Sequence, residues 1–384
     1  MQKKRIFVTC SRGVDGYLEQ EIVSLGFPVI SRTAAGIETE GSREDAMMLN
    51  LLLRTGLRVL VRVAEFAAHG PDALYRSVIA LPWEEVIPVD GYFSITSSVD
   101  TPGIDNSRFA NQRCKDAIAD RFMEKKGRRP DSGPERDRTV IHLHWQGDAC
   151  KLYLDTSGVP LAKRAYRKMP WKAPLQETLA AAIISATGWH DDGSFVNPMC
   201  GSGTLAIEAA LRGLNRPAAL LRDNFGFMHL EGYKADVWAS LRDKARAAAK
   251  TRLKSRIIAT DISSSALDAA LKNAQTAGVA HLIEFRECDF AETDVPAGGG
   301  VVIMNPGYGG RMGDAGELEA AYGRIGDFLK RKCTGYRGYV FTGNPGLAKR
   351  LGLRSKRKMP FYNGPIECRL LEYELYQASR KKQN

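Results

Sequence analysis

No stretch of this chain is long and apolar enough to cross a bilayer, because Arg54, Arg58 and Arg62 interrupt its richest apolar run. Its first residues, MQKKRIFVTC, lack the apolar core of a signal peptide, so the sequence predicts a cytoplasmic protein with no membrane partner. Seven cysteines, at positions 10, 114, 150, 200, 288, 333 and 368, form no C-x-x-C pair, and the six histidines form no close ligand grouping. Neither a metal site nor a disulfide framework is expected, and the thiols read as reduced. There is also no fixed-period repeat and no low-complexity tract, which sets aside solenoids and fibrous chains.

What is present is ordinary in bulk: 384 residues, 44% hydrophobic and 26% charged, are enough for two or three compact units. The charge balance is less ordinary. With 55 Lys and Arg against 44 Asp and Glu, the formal charge of +11 favours a polyanionic partner.

Along the chain, 5–10 reads as a strand, 16–26 and 44–54 as helices, and 57–66 and 92–99 as further strands. A helix opens near Asn106, with Ala110, Cys114, Ala117, Ile118 and Phe122 on its apolar stripe and Arg108, Arg113, Lys115 and Arg121 on its other face. A hairpin turning at Gly147-Asp148 follows, and places His142 and His144 together on one face of its first strand as ordinary sheet-face side chains. Residues 156–174 change character: Lys163, Arg164, Arg167, Lys168 and Lys172 interleave with Tyr166, Trp171 and three prolines, as in a basic linker. Beyond it, helices alternate with strands (SFVN, RIIAT, LIEFRE, VVIMN, YRGYVF) and a hairpin closes the series, which predicts a parallel sheet covered on both faces.

Two motifs carry chemistry. In Asn197-Pro198-Met199-Cys200-Gly201-Ser202-Gly203-Thr204, Gly201 and Gly203 stand between a strand and a helix, where a missing Cβ lets a ligand approach the backbone. Alone, such a turn reads equally well as a tight connection. Asp261, ending the next strand, can accept both hydroxyls of a ribose, and Asp289-Phe290, ending the third, can bond an adenine amine and pack its ring. No phosphate-binding lysine follows the loop, which argues against a P-loop. The long gap between Gly203 and Asp261 implies an insertion containing Phe225-Gly226-Phe227 and a basic helix.

The second motif is Asn305-Pro306-Gly307-Tyr308, after VVIMN. An exocyclic amine is a poor nucleophile because its lone pair is delocalised into the ring. The Asn305 side-chain oxygen and the Pro306 carbonyl are suited to accept its two N–H groups, and Tyr308 to stack on the base. The same residues are also compatible with a plain Pro-Gly turn after a strand.

With these motifs in place, the sequence resembles class I methyltransferases bearing an (Asp/Asn)-Pro-Pro-(Tyr/Phe) motif, and within them the THUMP-domain enzymes that make N2-methylguanosine. Asn106-Ser107-Arg108-Phe109-Ala110, KAPLQETLA from Lys172, PMCGSGTLAIEAA, FGF, FTGNPGLAKRLGLRSKRK and YNGPIECRL carry the resemblance over nearly the whole chain. Asn197 stands where the family has Asp, and Gly307 where it has a second proline, which should loosen the turn.

The resemblance implies an α/β fold: a ferredoxin-like part (1–55), a THUMP RNA-binding domain (56–155), the basic linker (156–174) and a Rossmann-like methyltransferase domain (175–384). It implies S-adenosylmethionine as cofactor, held by Thr178, Asn197, Met199, Cys200, Gly201, Gly203, Thr204, Asp261, Ile262, Asp289, Phe290 and Asn305. Asn305, Pro306 and Tyr308 would be catalytic, with no metal. The partner implied is structured RNA, 23S ribosomal RNA or a large-subunit assembly intermediate, contacted by Arg108, Arg113, Lys163, Arg164, Arg167 and Lys172. The rival readings are a tRNA guanine-N2 methyltransferase and a non-catalytic RNA-binding or ribosome-assembly factor.

Overall fold

The computed structural model describes residues 3–102, 104, 106–169, 171, 174–308 and 315–376. The chain forms two compact units and does not divide between them at one point: unit 1 takes residues up to Cys10, Leu18–Lys163 and Arg222–Ala245, and unit 2 takes Ser11–Tyr17, Arg164–Leu221 and the chain from Arg246 onward.

In unit 1, strands β1 (Lys4–Thr9), β2 (Ser31–Thr33), β3 (Gly36–Gly41), β4 (Arg58–Ala67), β5 (Tyr92–Asp100), β6 (Asp131–Ser132), β7 (Thr139–Gln146) and β8 (Ala149–Asp155) form one sheet in the order β2-β3-β1-β4-β8-β7-β5-β6. Helices α1 (Asp15–Ser24), α2 (Arg43–Leu52), α3 (Pro71–Ile79) and α4 (Ser107–Lys126) punctuate them. α2 starts at a capping box, Ser42 and Asp45 each bonding the other's backbone N–H. α4 starts at Asn106, whose side chain accepts the Arg108 N–H, and ends at Gly127 with φ +67°. Its predicted stripe is fully buried, packed with Trp83, Phe93, Leu143 and Trp145 in one core. The hairpin turns at Gly147-Asp148 as expected, with Gln146 opposite Ala149. β2, β3 and α3 were not legible in the sequence. β2 is an exposed three-residue edge strand, and α3 is only nine residues long.

The insertion around Phe225-Gly226-Phe227 belongs to unit 1 rather than to unit 2. Phe225 and Phe227 stack at 5.1 Å, and Trp238 meets both edge-on at 5.3 and 5.0 Å. The buried Arg222 guanidinium lies 4.4 Å over Phe225 and donates to the carbonyls of Ser157, Val159 and Pro160. A Cβ at position 226 would stand 2.3 Å from the Asp155 carbonyl oxygen, so only glycine fits between the two phenylalanines.

In unit 2, α5 (Glu177–Thr187) precedes β9 (Ser194–Pro198) and α6 (Thr204–Gly213). After α7 (Ala235–Ala247), nearly all of which lies in unit 1, come β10 (Ile257–Asp261), α8 (Ser264–Ala277), β11 (Ile283–Glu287), β12 (Gly300–Met304), α9 (Ala315–Lys332), β13 (Tyr336–Thr342), α10 (Pro345–Arg350), β14 (Arg357–Asn363) and β15 (Ile366–Glu374). The sheet order is β11-β10-β9-β12-β13-β15-β14, parallel from β11 to β13 and antiparallel in the closing hairpin. Strand order therefore reverses between β9 and β12, the point at which doubly wound sheets open a crevice at their carboxyl edge. No helix among the described residues is long and apolar enough to cross a membrane.

The two β7 histidines share a face, and His142 Nδ1 lies 3.0 Å from Thr96 Oγ1. Burial, helped by His144 and two arginines, pushes the His142 imidazole down to about 4. The unfolded chain thus takes up this proton first. The stability held by neutral His142 is complete above about pH 6.5 and is lost as pH falls toward 4, on the order of 3 kcal/mol in all. An NMR titration should show no protonation of His142 above pH 5, and His142→Gln should flatten the acid limb of a urea-denaturation series. A His142 resonance titrating near 6.5 would contradict this.

Candidate active site at the sheet's carboxyl edge

The four sequence elements expected to carry the site end four adjacent strands: the glycine turn after β9, Asp261 on β10, Asp289 after β11 and Asn305 after β12. Parallel register brings them to the same edge, Asn197 lying opposite Ala259 and Asp261 opposite Glu287.

The glycine turn is held open by backbone conformation. Met199, Gly201 and Gly203 have φ of 56°, 55° and 79°. Gly203 must be glycine because its Cβ would meet Ala270 Cβ at 2.9 Å, whereas a Cβ at Gly201 would have nothing within 4 Å. Asp261 Oδ2 accepts the Gly201 N–H at 2.9 Å and its Oδ1 accepts the Ser263 N–H at 3.0 Å. The carboxylate therefore braces the turn while each oxygen keeps lone-pair capacity for a ligand. Asn197 Nδ2 donates to the Ile303 carbonyl at 3.0 Å, tying β9 to β12, a bond that an ionised Asp could not make. Beside it, burial raises the Cys200 thiol pKa, so that residue is an inert wall.

Three side-chain oxygens here are buried without a hydrogen-bond partner among the described residues: Thr178 Oγ1, Asn197 Oδ1 and Asn305 Oδ1. An unpaired buried acceptor costs about 1–3 kcal/mol, and these three at one sheet edge leave acceptor capacity for a ligand's donors. Ile262, 71% exposed directly after Asp261, adds an apolar side chain free to be covered by a planar ring.

At the second motif, Pro306 is buried. The Gly307 carbonyl accepts the Tyr322 hydroxyl at 3.3 Å, and that hydroxyl also lies 2.8 Å from Thr342 Oγ1. A contact from α9 thus pins the turn that Gly307 was expected to loosen. The Tyr308 ring meets Phe341 edge-on at 6.2 Å, and its hydroxyl accepts from Asn363 Nδ2 at 2.9 Å. Burial raises its phenol pKa, so Tyr308 remains neutral.

Phe290 differs from expectation. Its ring is buried edge-on to Phe328 at 6.1 Å, and the Arg324 guanidinium stands 4.9 Å above it while donating to Asp289 Oδ1 at 2.7 Å. Arg324 thus occupies ring surface that was expected to pack against adenine. Burial raises the Asp289 pKa, but the Arg324 and Ala291 hydrogen bonds outweigh it, so the carboxyl stays below its ordinary value.

Two expected RNA contacts are corrected. The Arg164 side chain is 0% exposed, and its Nε donates to Glu208 Oε1 at 3.0 Å, an oxygen that also accepts the Tyr166 hydroxyl. A guanidinium removed from water must stay with its carboxylate, so it cannot reach a phosphate. Arg167 donates to Glu177, Ser202 Oγ, Thr204 Oγ1 and the Leu175 carbonyl, clamping the start of α5 to the glycine turn. Buried Asn273 accepts the Lys168 and Met169 N–H groups and donates to the Met169 and Ser202 carbonyls. The linker is consequently part of the site's scaffold from Arg164 on. Lys163 and Arg108 are exposed. Arg113 pairs with Asp72 and lies over Tyr75, and Lys172 is outside the described residues.

Sequence reasoning missed Tyr322, Asn273 and Arg324. Tyr322 and Asn273 had a signal: each is a polar group inside an otherwise apolar helix face, which requires a partner. Among the described residues, no group of three or more His, Cys, Asp or Glu is placed to hold a metal ion.

A glycine turn, strand-end carboxylates and an Asn-Pro-x-Tyr turn at the switch point of such a sheet define a class I methyltransferase domain. Residues 164–372 match the RMKL-like methyltransferase domain, 5–60 the RlmL ferredoxin-like domain and 69–155 the THUMP domain, and the chain belongs to this RMKL-like methyltransferase family. It is 39% identical over 381 residues to the ribosomal RNA large subunit methyltransferase K/L of Syntrophotalea carbinolica, covering 97% of this chain and 53% of that protein. The chain thus spans about half the length of the K/L relatives it matches. It is 34% identical to the Synechocystis protein slr0064, provisionally named an RNA methyltransferase, with 96% of each chain covered. Among solved structures it resembles SMU.472, provisionally named a methyltransferase and solved with S-adenosylhomocysteine, at a TM-score of 0.89 and 25% identity, covering 99% of this chain and 100% of that one.

Replacing Glu208 with Gln removes the charge of the carboxylate to which the buried Arg164 Nε donates. Unit 2 should lose about 3–5 kcal/mol, read as a lower urea midpoint with the far-UV circular dichroism of the folded state retained.

Proposed function

We propose that this chain transfers a methyl group from S-adenosylmethionine to the N2 amine of a guanine in 23S ribosomal RNA, free or within a large-subunit assembly intermediate, in the cytoplasm. The observation that carries this reading is the buried, unpartnered Asn305 Oδ1 at the switch point. The SMU.472 likeness, the THUMP match and the names of the ribosomal RNA relatives support it.

Thr178, the turn from Asn197 to Thr204, Asp261, Ile262, Asp289 and Asn305 would hold the cofactor, Asp261 accepting the ribose hydroxyls. When bound, S-adenosylmethionine supplies an electrophilic methyl on a sulfonium. Asn305 Oδ1 and the Pro306 carbonyl accept the two N–H groups of the guanine amine, fixing the nitrogen's direction and drawing its lone pair out of the ring. Tyr308, whose hydroxyl accepts from Asn363, would stack on the extruded base. The amine so held would present its nitrogen to that methyl, and its surplus proton would pass to water. Arg108, Arg113 and Lys163 would meet RNA phosphates.

Two variants separate binding from transfer. Asp261→Ala should weaken S-adenosylmethionine binding at least about 30-fold, corresponding to 2 kcal/mol or more for two hydrogen bonds to a charged group. Calorimetry on a variant shown folded by circular dichroism checks this; unchanged affinity removes Asp261 from the site.

Asn305→Ala should lower single-turnover transfer to RNA by about 100-fold or more with cofactor affinity little changed. Product analysis should find N2-methylguanosine in wild-type reactions. Methyl groups on adenine or on tRNA alone would overturn the assignment, and a wild-type chain that binds no cofactor would favour a non-catalytic RNA-binding role.

A further inference from the structure

The segment from Lys349 to Lys358 lies in the run FTGNPGLAKRLGLRSKRK, and the proposed reaction uses none of it. It holds six cations, and three are neutralised in place: Arg350 by Glu319 at 2.6 Å, Lys356 by Glu374 and Arg357 by Glu372. Lys349, Arg354 and Lys358 make no ion pair among the described residues. Lys349 and Lys358 line the same cleft of about 570 Å3 in unit 2, with Thr342, Gly343, Glu367 and Arg369.

The hairpin register explains the grouping. Lys358 lies opposite Leu371 and Pro360 opposite Arg369, so alternation puts Lys358, Glu367 and Arg369 on one face of β14 and β15. Glu367 is engaged by Arg369 at 3.4 Å, so the two lysines remain as unbalanced charge on the cleft. Like charges lining one cleft repel and leave a positive potential that an anion relieves. The cleft also adjoins the second motif: Gly343 lines it, and a Cβ on Gly343 would meet Tyr308 Cδ2 at 2.8 Å. Gly343 thus has the cleft on one side and the Tyr308 ring in direct contact.

We propose that this cleft is a phosphate subsite for the RNA strand that carries the target guanine, with Lys349 and Lys358 each contacting a backbone phosphate and so fixing the strand while the base is held at Asn305 and Tyr308. The inference rests on the RNA-methylation reading above. The lysines act on RNA binding and on neither cofactor binding nor the transfer step, because they touch the backbone and not the reacting atoms.

The test uses the full chain with unmodified 23S ribosomal RNA transcribed in vitro. It compares Lys349→Gln/Lys358→Gln with Lys250→Gln/Lys254→Gln, an equal charge loss among exposed lysines leading into the amino end of β10. The cleft variant should raise the KM for RNA roughly tenfold and make the plot of log affinity against log salt shallower by roughly 1.5, two contacts at about 0.7–0.9 each. Its kcat and S-adenosylmethionine affinity should match wild type, and the control pair should leave KM nearly unchanged. If wild type methylates RNA but the cleft variant keeps its KM and salt slope, or if the control pair shifts them equally, the subsite is wrong and the functional reading stands. A wild-type chain that neither binds nor methylates RNA overturns both.

Discussion

The carboxylate of Asp261 is the constraint on which the site's geometry depends. It takes one N–H from the glycine turn and one from the loop opening α8, joining the ends of β9 and β10 at the edge where the sheet reverses direction. Gly201, with open space where its Cβ would be, keeps its left-handed path beside that carboxylate, which accepts its N–H. A residue expected to serve a ribose alone is also structural. Its removal therefore acts on the loop as well as on the ligand.

The basic linker shows the same economy. A run of cations next to aromatic residues reads as a surface for nucleic acid, yet Arg164 is buried on Glu208, Arg167 gathers four acceptors around the glycine turn, and Asn273 staples the following backbone to Ser202. These contacts tie the entry of the methyltransferase domain to its glycine turn, so disturbance of the linker reaches Ser202 and Thr204 directly. The pinning of Gly307 by Tyr322 is comparable: a hydroxyl from the helix that follows restrains a turn that lacks its second proline.

Much was legible in the sequence because it was local. Helix α4 announced its start through an Asn whose side chain can cap, and its buried stripe followed from spacing alone. The motifs after β9 and β12 were visible because Gly or Pro within a few residues of an apolar strand marks the strand's end, and in a parallel sheet all such ends share one edge. What the sequence determined was therefore the elements, the motifs and the edge at which they meet. Tertiary structure alone decided which cations are free, because an arginine's role depends on whether a carboxylate distant in sequence is brought to it, as Glu208 is to Arg164 and Glu372 to Arg357. It alone also decided that residues 222–245 join unit 1, since the Phe225, Phe227 and Trp238 rings and the Arg222 guanidinium are satisfied there by contacts that no local pattern encodes.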